Sequence, residues 1–446
     1  MKLINLKGDL FATTFSFVTQ SGIRLVSSLI LTRILRPQDY GIITILVSAL
    51  FVIGNFADTN VILFVVRDKN AEQPRYLNTA WTLRFGRCML SGLVLLACAP
   101  IISVNIYHLP SLTLPLQVFS IWFLIDGLES MSFPLAVRRK QARIQMYSEL
   151  GATVVSTSFA IIYCYYFRTF WGMALAILLN RFIIVALSYQ FYKDMRPRFQ
   201  LDWPAAREIL DFSKFTIPSS MLTLIVNQFD KVLFLRLFDL PLMGVYGLAS
   251  NLAGSVDALI HKVSQAVLYP RCAENYRADP STAGEKYYTE NVKVFASIIA
   301  IPALIGGAAR LLIALLYDPR YAEAGLVLQA LMIRSILLSM ASPAEDLLIS
   351  VGAYHVILTG NVLRTTWIIV GSIGGYYLSG FHGFIYGFAL SGLPPLIYYL
   401  CLQRAKGMLR FKYELLRLGF AGAVGISSYM ASSLILSLWP MHRLRL

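Results

Sequence analysis

The chain has 446 residues, of which 57% are hydrophobic and only 14% charged, with a mean hydropathy of +0.62. That share of apolar side chain is more than a water-facing surface tolerates, so an ordinary soluble protein is excluded and a multi-pass membrane protein is implied. The net charge of +15 would suit nucleic-acid binding in a soluble chain, but here it belongs on the anionic inner face of a membrane, and no nucleic-acid partner is expected.

A helix crosses a hydrocarbon core of about 30 Å in about 20 residues. On that rule the predicted spans are Leu10–Leu31, Tyr40–Val65, Thr79–Tyr107, Leu112–Val137, Ser148–Tyr166, Phe170–Phe191, Phe215–Leu237, Leu242–Tyr269, Val292–Tyr317, Ala322–Val351, Val356–Leu378, Phe381–Leu402 and Leu415–Leu438. The first carries Arg24, lacks a small-residue cleavage site and precedes many more spans, so it reads as a retained helix and not as a secretory signal. The five cysteines, Cys88, Cys98, Cys164, Cys272 and Cys401, form no C-x-x-C and imply neither a disulfide framework nor a metal site.

Basic residues cluster in alternate connections: Lys2 and Lys7 before the first span, Arg67, Lys69 and Arg75 after the second, and Arg138, Arg139, Lys140 and Arg143 after the fourth. Lys193, Arg196, Arg198 and Arg207 follow the sixth, Arg271, Arg277 and Lys286 the eighth, and Arg404, Lys406, Arg410 and Lys412 the twelfth. The intervening connections are short and poor in lysine and arginine. By the positive-inside rule the amino terminus is expected in the cytoplasm.

Between the first two spans lies "LTRILRPQDYG" from Leu31, and "FLRLFDLPLMGVYG" from Phe234 repeats its parts with aspartate and proline exchanged. Each reads as a hairpin at the outer interface: proline cannot donate a helical hydrogen bond, and the tyrosine-glycine pair opens a closely packed return helix. Six spans separate the copies, an even number, so both enter the membrane in the same direction. Parallel repeats of this kind occur in transporters with the substrate site between the halves. The expected architecture is all-α: two six-helix lobes, 1–192 and 215–405, around a central cleft, an inter-lobe linker at 193–214, and an additional hydrophobic helix and tail at 406–446. Within the linker, "DWPAAREILDF" from Asp202 reads either as an interfacial helix with Trp203, Ile209, Leu210 and Phe212 against the bilayer or as a solvated connection.

The paired hairpins, the "VLYPRCAENY" segment from Val267 and the "LLYDPRYAEAGLVLQAL" segment from Leu315 together resemble the polysaccharide-transporter branch of the multidrug/oligosaccharidyl-lipid/polysaccharide flippase superfamily. The resemblance runs through the twelfth span, and the thirteenth departs from the twelve or fourteen spans common in the family. It implies export of a lipid-linked oligosaccharide, usually on undecaprenyl diphosphate, by alternating access in a bacterial inner membrane. It implies no cofactor and no catalysis, and a polysaccharide polymerase or export machinery as a partner besides the substrate and bilayer lipids.

Ionisable groups at membrane depth cost about 2.5–3.5 kcal/mol each at a helix centre, so each needs a wet cavity or a partner. These are Arg24, Asp58, Arg84, Arg87, Asp126, Glu129, Arg181, Asp230, Lys231, Asp257, His261, Lys262, Arg310, Arg334, Glu345, Asp346 and Arg364. The excess of arginine suits an anionic cargo, since a guanidinium replaces water with forked hydrogen bonds as well as charge. In the family the first, second, seventh and eighth helices line the cleft. That makes Arg24, Asp58, Asp230, Lys231, Asp257, His261 and Lys262 candidate substrate contacts, joined by Arg181, Arg334 and Arg364. Asp58, Asp126, Asp230, Asp257 and His261 are candidates for coupling to an ion gradient. The competing role for each is an intramembrane ion pair that locks helices together.

The chain has no P-loop, H-E-x-x-H, G-x-S-x-G or D-x-D. A membrane polymerase or ligase should present a sizeable outer loop, and the outer connections here are short. An exporter of organic cations should prefer an acidic or apolar cavity. The glycines of "GSIGG" from Gly371 and "GFIYG" from Gly383 are expected to pack two neighbouring helices together, and Pro218, Pro302 and Pro343 are expected bending points.

Overall fold

The computed structural model describes the backbone of residues 6–438 apart from 57–60, 68–70, 140, 142, 191–196 and 354. Its described residues fold as helices and connections without strands. Contacts divide the chain into two compact units, Met1–Pro241 and Leu242–Leu446.

The N-terminal unit holds α1 (Leu6–Ile34), α2 (Pro37–Phe56), α3 (Val61–Arg67), α4 (Pro74–Ile101), α5 (Thr113–Phe119), α6 (Ile121–Gly127), α7 (Ser132–Arg138), α8 (Arg143–Phe167), α9 (Trp171–Ser188) and α10 (Trp203–Leu237). Helix α1 ends where Pro37 begins α2, and the Asp39 carboxylate accepts the Arg36 backbone N–H at 3.0 Å. The glycine of this hairpin does what its sequence context implies: a Cβ on Gly41 would overlap the carbonyl oxygen of Leu240, at the tip of the second hairpin.

The predicted fourth span is broken. Pro110–Gly127 and Ser132–Arg138 meet at a bend of 53°. Asp126 and Glu129 therefore do not share one continuous helix face as their spacing suggests. They lie on either side of the end of α6, and both turn inward.

Helix α10 runs without interruption from the predicted inter-lobe linker into the seventh span, capped by the Asp202 side chain, which accepts the Ala205 backbone N–H at 3.1 Å. The segment before it is stitched to α4: the Asp202 N–H reaches Thr79 Oγ1 at 3.0 Å, the Arg198 N–H reaches Asn78 Oδ1 at 3.1 Å, and the Phe199 ring meets Trp81 edge-on. Ala205 and Ile209 are fully buried in a core with Val61, Phe64, Tyr76, Trp81 and Leu135, so Ile209 does not face the bilayer; Trp203 and Leu210 stay exposed. The Phe212 side chain lies outside the described residues. In the connection between α3 and α4, Glu72 takes Arg138 at 3.2 Å and Arg139 at 2.9 Å. The hydrogen bond from Arg139 holds its carboxyl below the usual carboxylate range.

The C-terminal unit holds α11 (Leu240–Val263), most of which lies in this unit, α12 (Tyr269–Ala278), α13 (Ala283–Thr289), α14 (Val292–Leu316), α15 (Ala324–Ser350), α16 (His355–Ala389), α17 (Leu393–Ala405) and α18 (Phe411–Leu438). Helices α14 and α15 continue through Pro302 and Pro343, so neither proline ends its helix. The reversal lies in α16, at Ser379 and Gly380, where Gly380 takes a φ of +57° that residues with a Cβ rarely adopt. The two arms so formed are the eleventh span and the start of the twelfth. They close on their glycines: a Cβ on Gly375 would overlap the Gly383 carbonyl and one on Gly387 the Gly371 carbonyl, while Trp367 Nε1 donates to the Gly387 carbonyl at 3.0 Å.

Helix α18, the additional thirteenth span, is seated along α14. Ser428 and Ser432 donate to the carbonyls of Leu304 and Gly307 at 2.8 and 3.0 Å, and a Cβ on Gly307 would overlap the Gly425 carbonyl. At its start Arg417 pairs with Glu414 at 2.9 Å and lies 3.4 Å from the centre of the Phe295 ring, between Tyr287 and Tyr288. Among the described residues eight stretches are long and apolar enough to cross a membrane, nine with the bent pair, and one of them, His355–Ala405, contains the reversal. The protein is an all-α polytopic membrane protein.

Candidate functional site

Intramembrane charges gather in two clusters, one in each unit. In the N-terminal unit Arg84 of α4 lies 2.5 Å from Glu129 and 3.5 Å from Asp126, and Arg181 of α9 contacts Glu129 and lies 2.5 Å from Asp126. Cys88 donates to Asp126 at 3.4 Å, and Arg181 also faces the Trp122 ring with its guanidinium 5.7 Å from the centre. Two cations and two anions thus neutralise one another in the interior, which is how such groups are tolerated away from water. Arg181, a candidate substrate contact, and Asp126, a candidate coupling group, are both placed in this quartet.

Arg87 leaves the quartet and donates to the Gly54 carbonyl at 2.8 Å. Arg24 stands apart on an exposed face of α1, and its guanidinium makes no hydrogen bond or ion pair among the described residues. Asp230 is buried on α10. One residue on, Lys231 donates to Gln228 Oε1 at 3.1 Å, the same oxygen that accepts Ser48 of α2 at 2.8 Å. Asp58 lies outside the described residues.

In the C-terminal unit Asp257 of α11 takes Arg334 at 2.9 Å and Ser335 at 2.5 Å, both on α15. His261, one turn further on, has the Ser342 hydroxyl 3.4 Å from Nδ1, and Lys262 beside it is exposed. The turn Ser264–Leu268 is a π-helix, and two successive residues of it, Ser264 and Gln265, reach the same Asp346 carboxylate at 2.5 and 2.9 Å. Arg364 of α16 sits within electrostatic reach of Arg334, Asp257, Glu345 and Tyr399, yet makes no hydrogen bond or ion pair among the described residues.

Of the predicted contacts, the structure brings Asp257, His261, Arg334 and Arg364 together in one unit and ties Asp257 to Arg334. Ser335 and Gln228 take part without having been singled out in the sequence, and so do Gly360 of α16 and Tyr399 of α17, whose hydroxyl a Cβ on Gly360 would overlap. For Gly360 a signal existed, a small residue one turn before an intramembrane arginine. For the neutral serine, glutamine and tyrosine none did.

A multi-helical membrane fold with balanced ion clusters, in which the Arg24 and Arg364 guanidiniums make no hydrogen bond or ion pair among the described residues, defines a class, that of polytopic membrane proteins with charged groups within their helices. The comparisons fix the family: residues 30–325 match the model of the polysaccharide biosynthesis protein family, and the chain belongs to it. It is 24% identical to the amylovoran biosynthesis protein AmsL of Erwinia amylovora, over 63% of this chain and 73% of that one. It is 20% identical to the lipopolysaccharide biosynthesis protein WzxC of Escherichia coli strain K12, over 83% and 75%. The fold is shared with the lipid II flippase MurJ in an inward closed conformation, with a TM-score of 0.69, 13% identity and 96% and 98% of the two chains covered. An inward-facing multidrug resistance transporter of the MATE family matches with a TM-score of 0.58, 14% identity and 88% and 94% coverage.

Proposed function

We propose that the protein is a flippase that carries a lipid-linked oligosaccharide, on undecaprenyl diphosphate, from the cytoplasmic to the outer leaflet of a bacterial inner membrane. Two six-helix lobes, 1–192 and 215–405, alternate in access, no covalent bond changes, and the amino terminus lies in the cytoplasm. The observation that carries this reading is that Arg24 and Arg364, both within helices at membrane depth, keep guanidinium donors without a hydrogen bond or ion pair among the described residues. A bare guanidinium in that setting is expensive unless an anion or water visits it, and a diphosphate matches its fork. The family membership supports a polysaccharide precursor as the cargo.

The test is to delete the gene in its host and ask which membrane face the lipid-linked glycans occupy, using a glycan-modifying reagent on intact spheroplasts. Protected glycans with loss of surface polysaccharide are expected. Glycans accessible at the outer face would indicate a later polymerisation or ligation step, and unchanged glycans would indicate an exporter of small molecules. Complementation with Arg24→Ala or Arg364→Ala is expected to leave membrane insertion intact and cut export, on the order of tenfold or more if each loses a charged hydrogen bond to the cargo. Full export by either variant would remove that arginine from the site, and lysine at the same position separates charge from the fork.

A further inference from the structure

The two ion clusters use their arginines differently. In the N-terminal quartet the donors that reach no carboxylate are sealed in: Arg84 Nη1 and Arg181 Nε are buried without a partner. In the C-terminal unit Arg334 gives Nη2 to Asp257 at 2.9 Å, its one hydrogen bond among the described residues. Its side chain is 25% exposed, and Nε and Nη1 are neither bonded nor sealed. An arginine and a carboxylate commonly close on each other through two parallel bonds. Here they share one.

The second carboxylate oxygen is taken by a neighbour. Ser335 donates to Asp257 Oδ1 at 2.5 Å, the short distance of a hydroxyl on an anion. Arg334 and Ser335 are consecutive on α15 and leave it about 100° apart, so the Asp257 carboxylate on α11 receives one donor from each side. Ser335 and Asp257 are both buried, and the other hydrogen bond of this serine is a longer one, 3.3 Å to the Leu331 carbonyl. Phe388 of α16 seats the guanidinium on its flat side, with the guanidinium carbon 5.1 Å from the ring centre, and the Tyr246 ring meets Phe388 edge-on. A ring face consumes no hydrogen-bond donor, so this seat holds the plane of the guanidinium and leaves its edge free.

We infer that Ser335 is a positioning residue: it holds Asp257 to a single bond with Arg334 and so keeps the remaining donors of Arg334 open as a contact for the cargo's anionic headgroup. This rests on the reading of the protein as a carrier of a diphosphate-linked lipid. Asp257 balances the guanidinium, so the empty site carries no lone buried ion. Because Asp257 takes one bond only, phosphoryl oxygens find donors still free. Without the serine, Oδ1 would be at liberty to take a second N–H of Arg334, and the carboxylate would compete with the cargo for the same edge.

The experiment is calorimetric titration of the full chain in lipid nanodiscs with farnesyl diphosphate as the probe, beside thermal unfolding of the same samples. Ser335→Ala is expected to weaken binding on the order of tenfold, the effect of one charge-assisted hydrogen bond, while melting stays where it was. A serine with a structural role alone gives the reverse, earlier melting with unchanged binding, and that result overturns the inference. The effect must also run through the carboxylate. In an Asp257→Asn background the side chain has one acceptor and no charge, so adding Ser335→Ala is expected to change binding no further. A tenfold loss that persists there overturns the role of Ser335. Arg334→Gln together with Asp257→Asn removes both charges without leaving a lone buried ion, and is expected to lose binding. Normal binding by that pair means that Arg334 is not a headgroup contact, and the inference falls while Arg24 and Arg364 still carry the proposed function. No binding by the unaltered protein would bring down the diphosphate reading itself.

Discussion

Glu129→Ala is expected to destabilise the N-terminal unit by about 3–5 kcal/mol, the effect of removing one partner from a buried ion pair. Both Arg84 and Arg181 contact Glu129, and the Arg84 side chain is only 5% exposed. Without Glu129 a single carboxylate, Asp126, faces two guanidiniums that cannot shed their protons. Surrounding atoms offer no substitute, since Arg84 Nη1 and Arg181 Nε already lack hydrogen-bond partners. The measurement is thermal unfolding of the purified protein in detergent, with the folded fraction in membranes as a second readout. Adding Arg181→Ala to Glu129→Ala restores the charge balance and is expected to recover part of the loss, which a double-mutant cycle reads directly. A Glu129→Ala variant that melts with the unaltered protein would mean that the quartet contributes nothing to stability.

The second large effect is expected at the glycine contact within α16. Gly375→Val places a branched side chain where even a single Cβ meets the Gly383 carbonyl, so the arms on either side of Gly380 must separate. Overpacking of this kind costs about 1–3 kcal/mol, and backbone, unlike a flexible side-chain tip, cannot step aside. The bond from Trp367 to the Gly387 carbonyl is expected to break with it. Gly374→Ala, one residue away, is the control, because no atom lies within 4 Å of a Cβ there. Thermal unfolding of the pair in detergent decides the matter: equal melting of the two variants would show that the arms are not held by this contact.

Much of the architecture was legible because a bilayer imposes one simple rule on length and polarity. Apart from the fourth, the predicted spans coincide with helix in the structure where residues are described, and Gly41 of the first tyrosine-glycine hairpin and the glycine pairs of α16 pack as their spacing implies. The break after Gly127 was hidden because an average over apolar content does not register where backbone hydrogen bonding stops. The stretch before the seventh span read as a charged linker for a similar reason: its arginines and aspartates outweigh Ala205 and Ile209, four residues apart, which mark the buried face. For the candidate site, the sequence lists the charges at depth but not who meets whom. Arg84 and Arg181 are far apart in the chain, and only helix packing turns them onto the same two carboxylates. Tyr399 could not stand out, because a tyrosine in a membrane helix is ordinary until α16 and α17 are placed side by side and its hydroxyl meets the space left by Gly360.

The seam between α14 and α18 bears on how the protein is made. A ribosome delivers α14 to the bilayer long before α18, and until then the notch at Gly307 and the carbonyls that later accept Ser428 and Ser432 have only lipid against them. The Arg417 berth among Tyr287, Tyr288 and Phe295 waits equally long. The packing of the C-terminal unit is therefore complete only once α18 has been made and laid along α14.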